Sequence, residues 1–142
     1  MPSPAPAVAS LRSSPPAGAW TWRALLGSAA LVAYGGTLGV PFIFDDIPAV
    51  LQNPSLHRLG DAWWPPPDLS VSGRPLVNFT LALNFAAAGP AVLGYHLTNL
   101  ALHLTSCWLV FGLLRRALPR LGKPEAANAF AGVVAALWSL HP

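Results

Sequence analysis

Two carboxylates stand side by side at Asp45 and Asp46, directly after an uncharged stretch and just before Pro48. Charged groups at a membrane boundary are costly unless they are solvated or used. The plain alternative is that the pair only marks the water interface. In use, one carboxylate would accept a proton from an attacking hydroxyl or orient a metal. A bare Asp-Asp does not decide between these.

A second set is His96, Asn99 and His103, spaced i, i+3 and i+7, with Ser106 continuing the same face. Polar groups in an apolar helix usually face a bundle interior or a cavity, and hydrogen bonding between helices is their commonest use. Two helical turns separate the histidines by about 10 Å. They cannot share one ion, so no metal site is expected. His96, at the end nearest the acidic pair, is kept as a candidate for lining a pocket. Arg74, within Ser72-Gly73-Arg74-Pro75-Leu76, opens the next helix. Its planar fork suits a phosphate, though an interfacial arginine reaching for water fits equally. Asn78-Phe79-Thr80 matches a glycan-acceptor triplet, which burial in a helix or membrane would block. The single cysteine, Cys107, lies in an apolar run and reads as a packed or lipid-facing small residue. There is no glycine-rich phosphate loop, no serine–histidine nucleophile motif and no tetratricopeptide pattern.

The elements that must position these residues are apolar. Of 142 residues, 9% are charged and 54% hydrophobic, with a mean hydropathy of +0.49. Soluble domains carry about 25% charged residues, so a bilayer is expected to supply the missing solvent. The net charge of +3 and pI near 9.8 do not indicate a nucleic-acid partner. Arg115, Arg116, Arg120 and Lys123 sit together between two apolar runs, and Arg12 and Arg23 precede the first. That is positive-inside anchoring, not a groove-binding patch.

Residues 1–19, rich in Pro, Ala and Ser, are expected to form a disordered leader, with the membrane domain over 20–142. Trp20 and Trp22 flank Arg23 as an interfacial anchor. A first span is expected at about 24–44. A cleaved signal peptide is the rival, but the run is long for one and lacks a small-x-small site. Residues 45–94 form a loop with four aspartates and many prolines, and Trp63 and Trp64 suit the water–lipid boundary. Within it, Pro75 to Ala88 alternates like a strand but also carries a helical stripe. No partner strand is evident, so an interfacial helix is expected. A second span runs over 95–114 and ends at Arg115-Arg116; a third apolar run, 126–140, is short for a crossing. The expected fold is therefore all-α and integral to a membrane. It has two full transmembrane helices, an interfacial helix in the external loop and the start of a third span. The chain reads as cut off mid-architecture. Positive-inside places the arginine cluster in the cytoplasm and 45–94 outside, and the Ala/Pro/Gly-rich composition suggests a bacterial inner membrane.

Taken in order, Phe44-Asp45-Asp46, Asn53-Pro54, Gly73-Arg74-Pro75-Leu76 with Thr80 and Leu83-Asn84, and Gly94-Tyr95-His96-Leu97-x-Asn99-x-x-x-His103 form a set. Arg115-Arg116 and Leu140-His141-Pro142 complete it. This set resembles the amino-terminal membrane region of the transmembrane-and-tetratricopeptide-repeat O-mannosyltransferases and their bacterial relatives, in the C-type glycosyltransferase superfamily. The resemblance covers about Val40 to Pro142. It implies a multi-span enzyme that takes a sugar from a polyprenyl-phosphate donor to a hydroxyl of an acceptor protein or glycan, with no certain cofactor. By that resemblance Asp45 or Asp46, with Asp45 first, is the general base, Arg74 meets the phosphate and His96 lines the pocket. The family's later spans and carboxy-terminal repeats are absent from these residues. A non-catalytic anchor or assembly module for a membrane partner subunit stays open, as does, with less support, a transporter fragment.

Overall fold

The computed structural model describes residues 18–122 and 127–141. The expected leader, apart from Gly18 and Ala19, lies outside the described residues, and so does Lys123. All regular structure among the described residues is helical, with four principal helices and no strand.

The first helix, α1, covers Gly18–Tyr34. The span expected at 24–44 is thus shifted and shortened. Gly35 and Gly36 carry the backbone freedom that ends a helix. A tight turn over Gly35–Thr37 follows, with the Thr37 hydroxyl donating to the Tyr34 carbonyl at 2.7 Å. Seventeen residues of α1 reach about 25 Å, less than the roughly 20 residues a crossing needs. Helix α2, Pro75–Ala88, resolves the strand-or-helix ambiguity in favour of a helix. Pro75 occupies the first turn, where its missing N–H costs nothing, and Gly89, at φ 59°, ends it.

Helix α3, Val92–Arg120, extends beyond the expected 95–114 at both ends. Its 29 residues rise about 43 Å. Of the described helices it alone is long and apolar enough to cross a membrane, so of the two expected full spans only that at 95–114 has a helix of bilayer length. Only 17% of its most apolar window is buried in the chain. A core helix of a soluble domain would hide that surface. Helix α4 covers Ala127–Leu140, within one residue of the expected third run.

Three of these helices make a bundle. The Trp108 indole donates to the Arg23 carbonyl at 3.1 Å near one end, and the Tyr34 hydroxyl donates to the Ser139 carbonyl at 2.9 Å near the other. So α1 and α4 run parallel, and α3 runs against both. Leu26, Cys107, Phe111, Ala131 and Ala135 fill the centre, with Cys107 packed rather than lipid-facing. A second apolar cluster lies in the loop. It unites Ala49, Val50, Leu56, Ala62 and Val71 with Ala82 of α2 and Tyr95 of α3.

Candidate functional site

The acidic pair sits on a tight reversal. Phe44 has φ 47°, a left-handed conformation rare for a bulky residue, and its side chain is 86% exposed. No packing of the ring accounts for that backbone, so the restraint comes from the segments on either side. The Asp46 N–H donates to the Ile43 carbonyl at 3.0 Å and the Ile47 N–H to the Phe44 carbonyl at 3.2 Å. A single wide helical turn, Ile47–Leu51, continues the chain, closed by the Gln52 N–H on the Ile47 carbonyl at 3.1 Å. Such π-type turns recur at functional sites.

The two carboxylates are not equivalent. Asp46 folds back, one carboxylate oxygen accepting a long 3.4 Å bond from the Ile43 N–H. Asp45 is exposed, and among the described residues its carboxylate has no hydrogen-bond or ionic partner. Asp46 braces the turn; the Asp45 carboxylate faces outward, unengaged.

The chain is pinned upstream by α3. His96 donates from Nε2 to the Val40 carbonyl at 2.9 Å; a carbonyl only accepts, so this nitrogen carries the proton. The neighbouring Tyr95 ring meets Phe42 edge-on at 5.2 Å, and its hydroxyl donates to the Gly89 carbonyl at 3.1 Å. Two adjacent residues of α3 therefore fix the approach to Phe44-Asp45-Asp46. Downstream, a buried knot does the same. Asn53 Nδ2 donates to the Ala49 carbonyl at 3.0 Å and to Asn78 Oδ1 at 2.8 Å. Asn78 Nδ2 donates to Ser55 Oγ and to the Ala62 carbonyl, each at 2.8 Å. Asn53 Oδ1 in turn accepts from the Ser55 backbone and hydroxyl, at 3.1 and 2.7 Å. Every polar hydrogen of both amides is used, which is what a buried polar network requires. With both protons of Asn78 engaged and the residue fully buried, the acceptor triplet at 78–80 is blocked as expected.

His96 also lines an open cleft of about 380 Å³ with Tyr34, Thr37, Asn99 and His103. His103 spends its Nε2 on the Ser139 carbonyl at 2.9 Å and meets the Tyr34 ring edge-on at 5.1 Å. It is a helix–helix contact, the plainer of its two readings. Arg74 is exposed at the start of α2, held by its backbone N–H on the Val71 carbonyl at 2.9 Å. No hydrogen bond or ion pair joins it to Asp45, Asp46 or His96. The structure thus links His96 to the acidic turn and leaves Arg74 apart. Reasoning from sequence missed Tyr95 and the Asn53–Asn78 pair as positioning groups. The available signal was a pair of asparagines among apolar neighbours. Among the described residues no group of histidines, cysteines and acids is placed to hold a metal.

Fold and site together define a chain that is helical over its described residues, with one bilayer-length helix among them, presenting a pinned and exposed carboxylate on the segment tied to that helix's amino-terminal end. Comparison with known proteins supplies the family. The chain is 38% identical to protein O-mannosyl-transferase Tmtc1 of Drosophila melanogaster, over 72% of its own length and 13% of the relative's. It is 30% identical to Tmtc3 of the same fly, over 80% of this chain and 15% of that protein. Against Tmtc2 it is 33% identical, over 81% and 13% respectively. This chain is a homologue of the TMTC-family protein O-mannosyl-transferases, as its ordered motifs imply. It spans about one seventh of the length of these relatives. No family model and no solved structure matches it.

Proposed function

We propose that this chain is the part of a membrane glycosyltransferase that presents the general base, Asp45, to an acceptor hydroxyl of a protein. The observation that carries this is the contrast between the carboxylates: Asp45 is exposed and unengaged, on a strained turn anchored on both sides. Strained backbone persists only where its surroundings over-determine it, and it gathers at functional sites. The homologues, named as protein O-mannosyl-transferases, support the reaction class.

The donor in this reading is a polyprenyl-phosphate-linked sugar, which delivers its anomeric carbon close to the bilayer surface. Asp45 accepts the proton of the acceptor hydroxyl as that oxygen bonds to the anomeric carbon. The bond from that carbon to the phosphate oxygen breaks, and its electron pair leaves with the lipid phosphate. The negative charge passes from carboxylate to phosphate, so the step balances without a redox partner. His96 acts through Val40 as a positioning residue, and Arg74 is available to the departing phosphate if the remainder of the enzyme brings donor to it. The turn faces the side opposite the arginine cluster, outside the cytoplasm, in a multi-pass membrane protein. The relatives named above are animal proteins, so a bacterial inner membrane draws no support from them.

A positioned general base contributes about 10²–10⁴-fold. Asp45→Asn in the full-length enzyme is expected to lower sugar transfer by that factor while leaving membrane insertion intact. Asp46→Asn should act more mildly, since it perturbs one long hydrogen bond. Undiminished transfer by the Asp45 variant would reject the catalytic role and favour a non-catalytic assembly module.

A further inference from the structure

The end of the bundle remote from the acidic turn carries a feature that sugar transfer does not use. Arg23 of α1 and Arg115 and Arg116 of α3 line one cleft of about 550 Å³. Its walls include Trp108, Leu109 and Leu113, which are 40, 67 and 70% exposed. The Nε atoms of Arg23 and Arg115 are shielded from solvent and have no hydrogen-bond partner. Buried donors are almost always satisfied, so these two nitrogens call for an acceptor. It does not come from a described carboxylate. Asp45, Asp46, Asp61 and Asp68 all belong to the loop at the opposite end. Arg115 lies nineteen positions along α3 from His96, about 28 Å along the axis.

We propose that this cleft binds a phosphate group, carried by the headgroup of an anionic phospholipid. Arginine forks match phosphate oxygens two at a time and tolerate partial burial better than lysine does. The volume falls within the range of small-ligand sites. A free anion would use only the guanidinium groups. The exposed indole and leucines beside them continue along the apolar surface of α3, where acyl chains would lie. On the neighbouring surface, which shares Arg23 and Trp108 with the cleft, the Arg23 guanidinium stands 5.1 Å from the Trp20 ring centroid, pairing cation with aromatic ring as headgroup-level residues do. Anionic lipids of the cytoplasmic leaflet meet positive clusters at this depth.

The test places the chain in nanodiscs containing equal phosphatidic acid and phosphatidylcholine. Lipids retained on release into the gas phase are then counted by native mass spectrometry. About a tenfold enrichment of phosphatidic acid is expected, lost in Arg23→Gln/Arg115→Gln and kept in Arg58→Gln, an exposed loop arginine. Arg115→Lys/Arg116→Lys preserves charge but removes the forks, and should lose at least half of the enrichment. It keeps the test decisive where the glutamine variant fails to fold. Millimolar inorganic phosphate should leave the retained lipid in place. Equal retention of both lipids, or enrichment indifferent to Arg23, Arg115 and Arg116, would overturn the proposal. Displacement of the lipid by inorganic phosphate would overturn it too, because the ligand would then be a free anion.

Discussion

Phe44 is the residue where backbone and chemistry meet most directly. Holding a bulky residue at positive φ costs about 1–3 kcal/mol, and with its ring 86% exposed little packing offsets that. Glycine would adopt the same conformation freely, at an entropic cost of about 0.5–1 kcal/mol. Phe44→Gly is therefore expected to leave thermal stability in detergent unchanged or raise it by about 1 kcal/mol, while Phe44→Ala gains nothing. A loss above that size in the glycine variant would mean the ring itself holds the turn. The residue types of the site were legible in sequence: an acidic pair at an apolar boundary, a histidine on a helix face. Their division of labour was not. Asp46 is turned inward by a bond from its own neighbour Ile43, and Asp45 is freed by the same fold. Composition and spacing carry no trace of that asymmetry. Burial of the Asn78 triplet was expected, but its partner Asn53, 25 positions away in the chain, was not.

Among elements, α1 packs on α4 through Trp22 and Gly132. A Cβ on Gly132 would run into the Trp22 indole, so glycine at this position is what leaves room for that ring between α1 and α4. Gly132→Leu should force them apart, costing about 1–3 kcal/mol as overpacking does. The same change at Gly112, where an added Cβ meets nothing within 4 Å, should be tolerated. Matching melts for the two variants would show that the bundle does not depend on this approach. Hydropathy located α4 to within one residue and the body of α3, falling six residues short of the latter's carboxyl end because Arg115-Arg116 closed the charge-free run. It misjudged α1. Lack of charge says nothing about where hydrogen bonding stops, and Gly35-Gly36 stop it ten residues before the apolar run ends. The helical choice for α2 rested on the absence of a partner strand, and the buried Ala82 and Asn78 lie one turn apart on its inner face.

At the scale of the molecule, the four described aspartates lie toward one end of α3 and the cluster of Arg23, Arg115 and Arg116 toward the other. If that helix crosses a bilayer, the two ends face different compartments. Cysteines placed at Asp46→Cys and Arg116→Cys in a Cys107→Ser background should react with an impermeant maleimide from opposite sides of sealed vesicles. Labelling of both from one side would remove the transmembrane arrangement, and with it the proposed placement of the base. The two apolar clusters add a different kind of consequence. One fills the bundle and the other fills the loop, and no buried residue is common to them. Separate interiors of this sort open as separate cooperative units. Heating should then produce two calorimetric transitions instead of one, the cap that carries the carboxylates melting on its own schedule. A defect in either half would leave the other with its native heat signature.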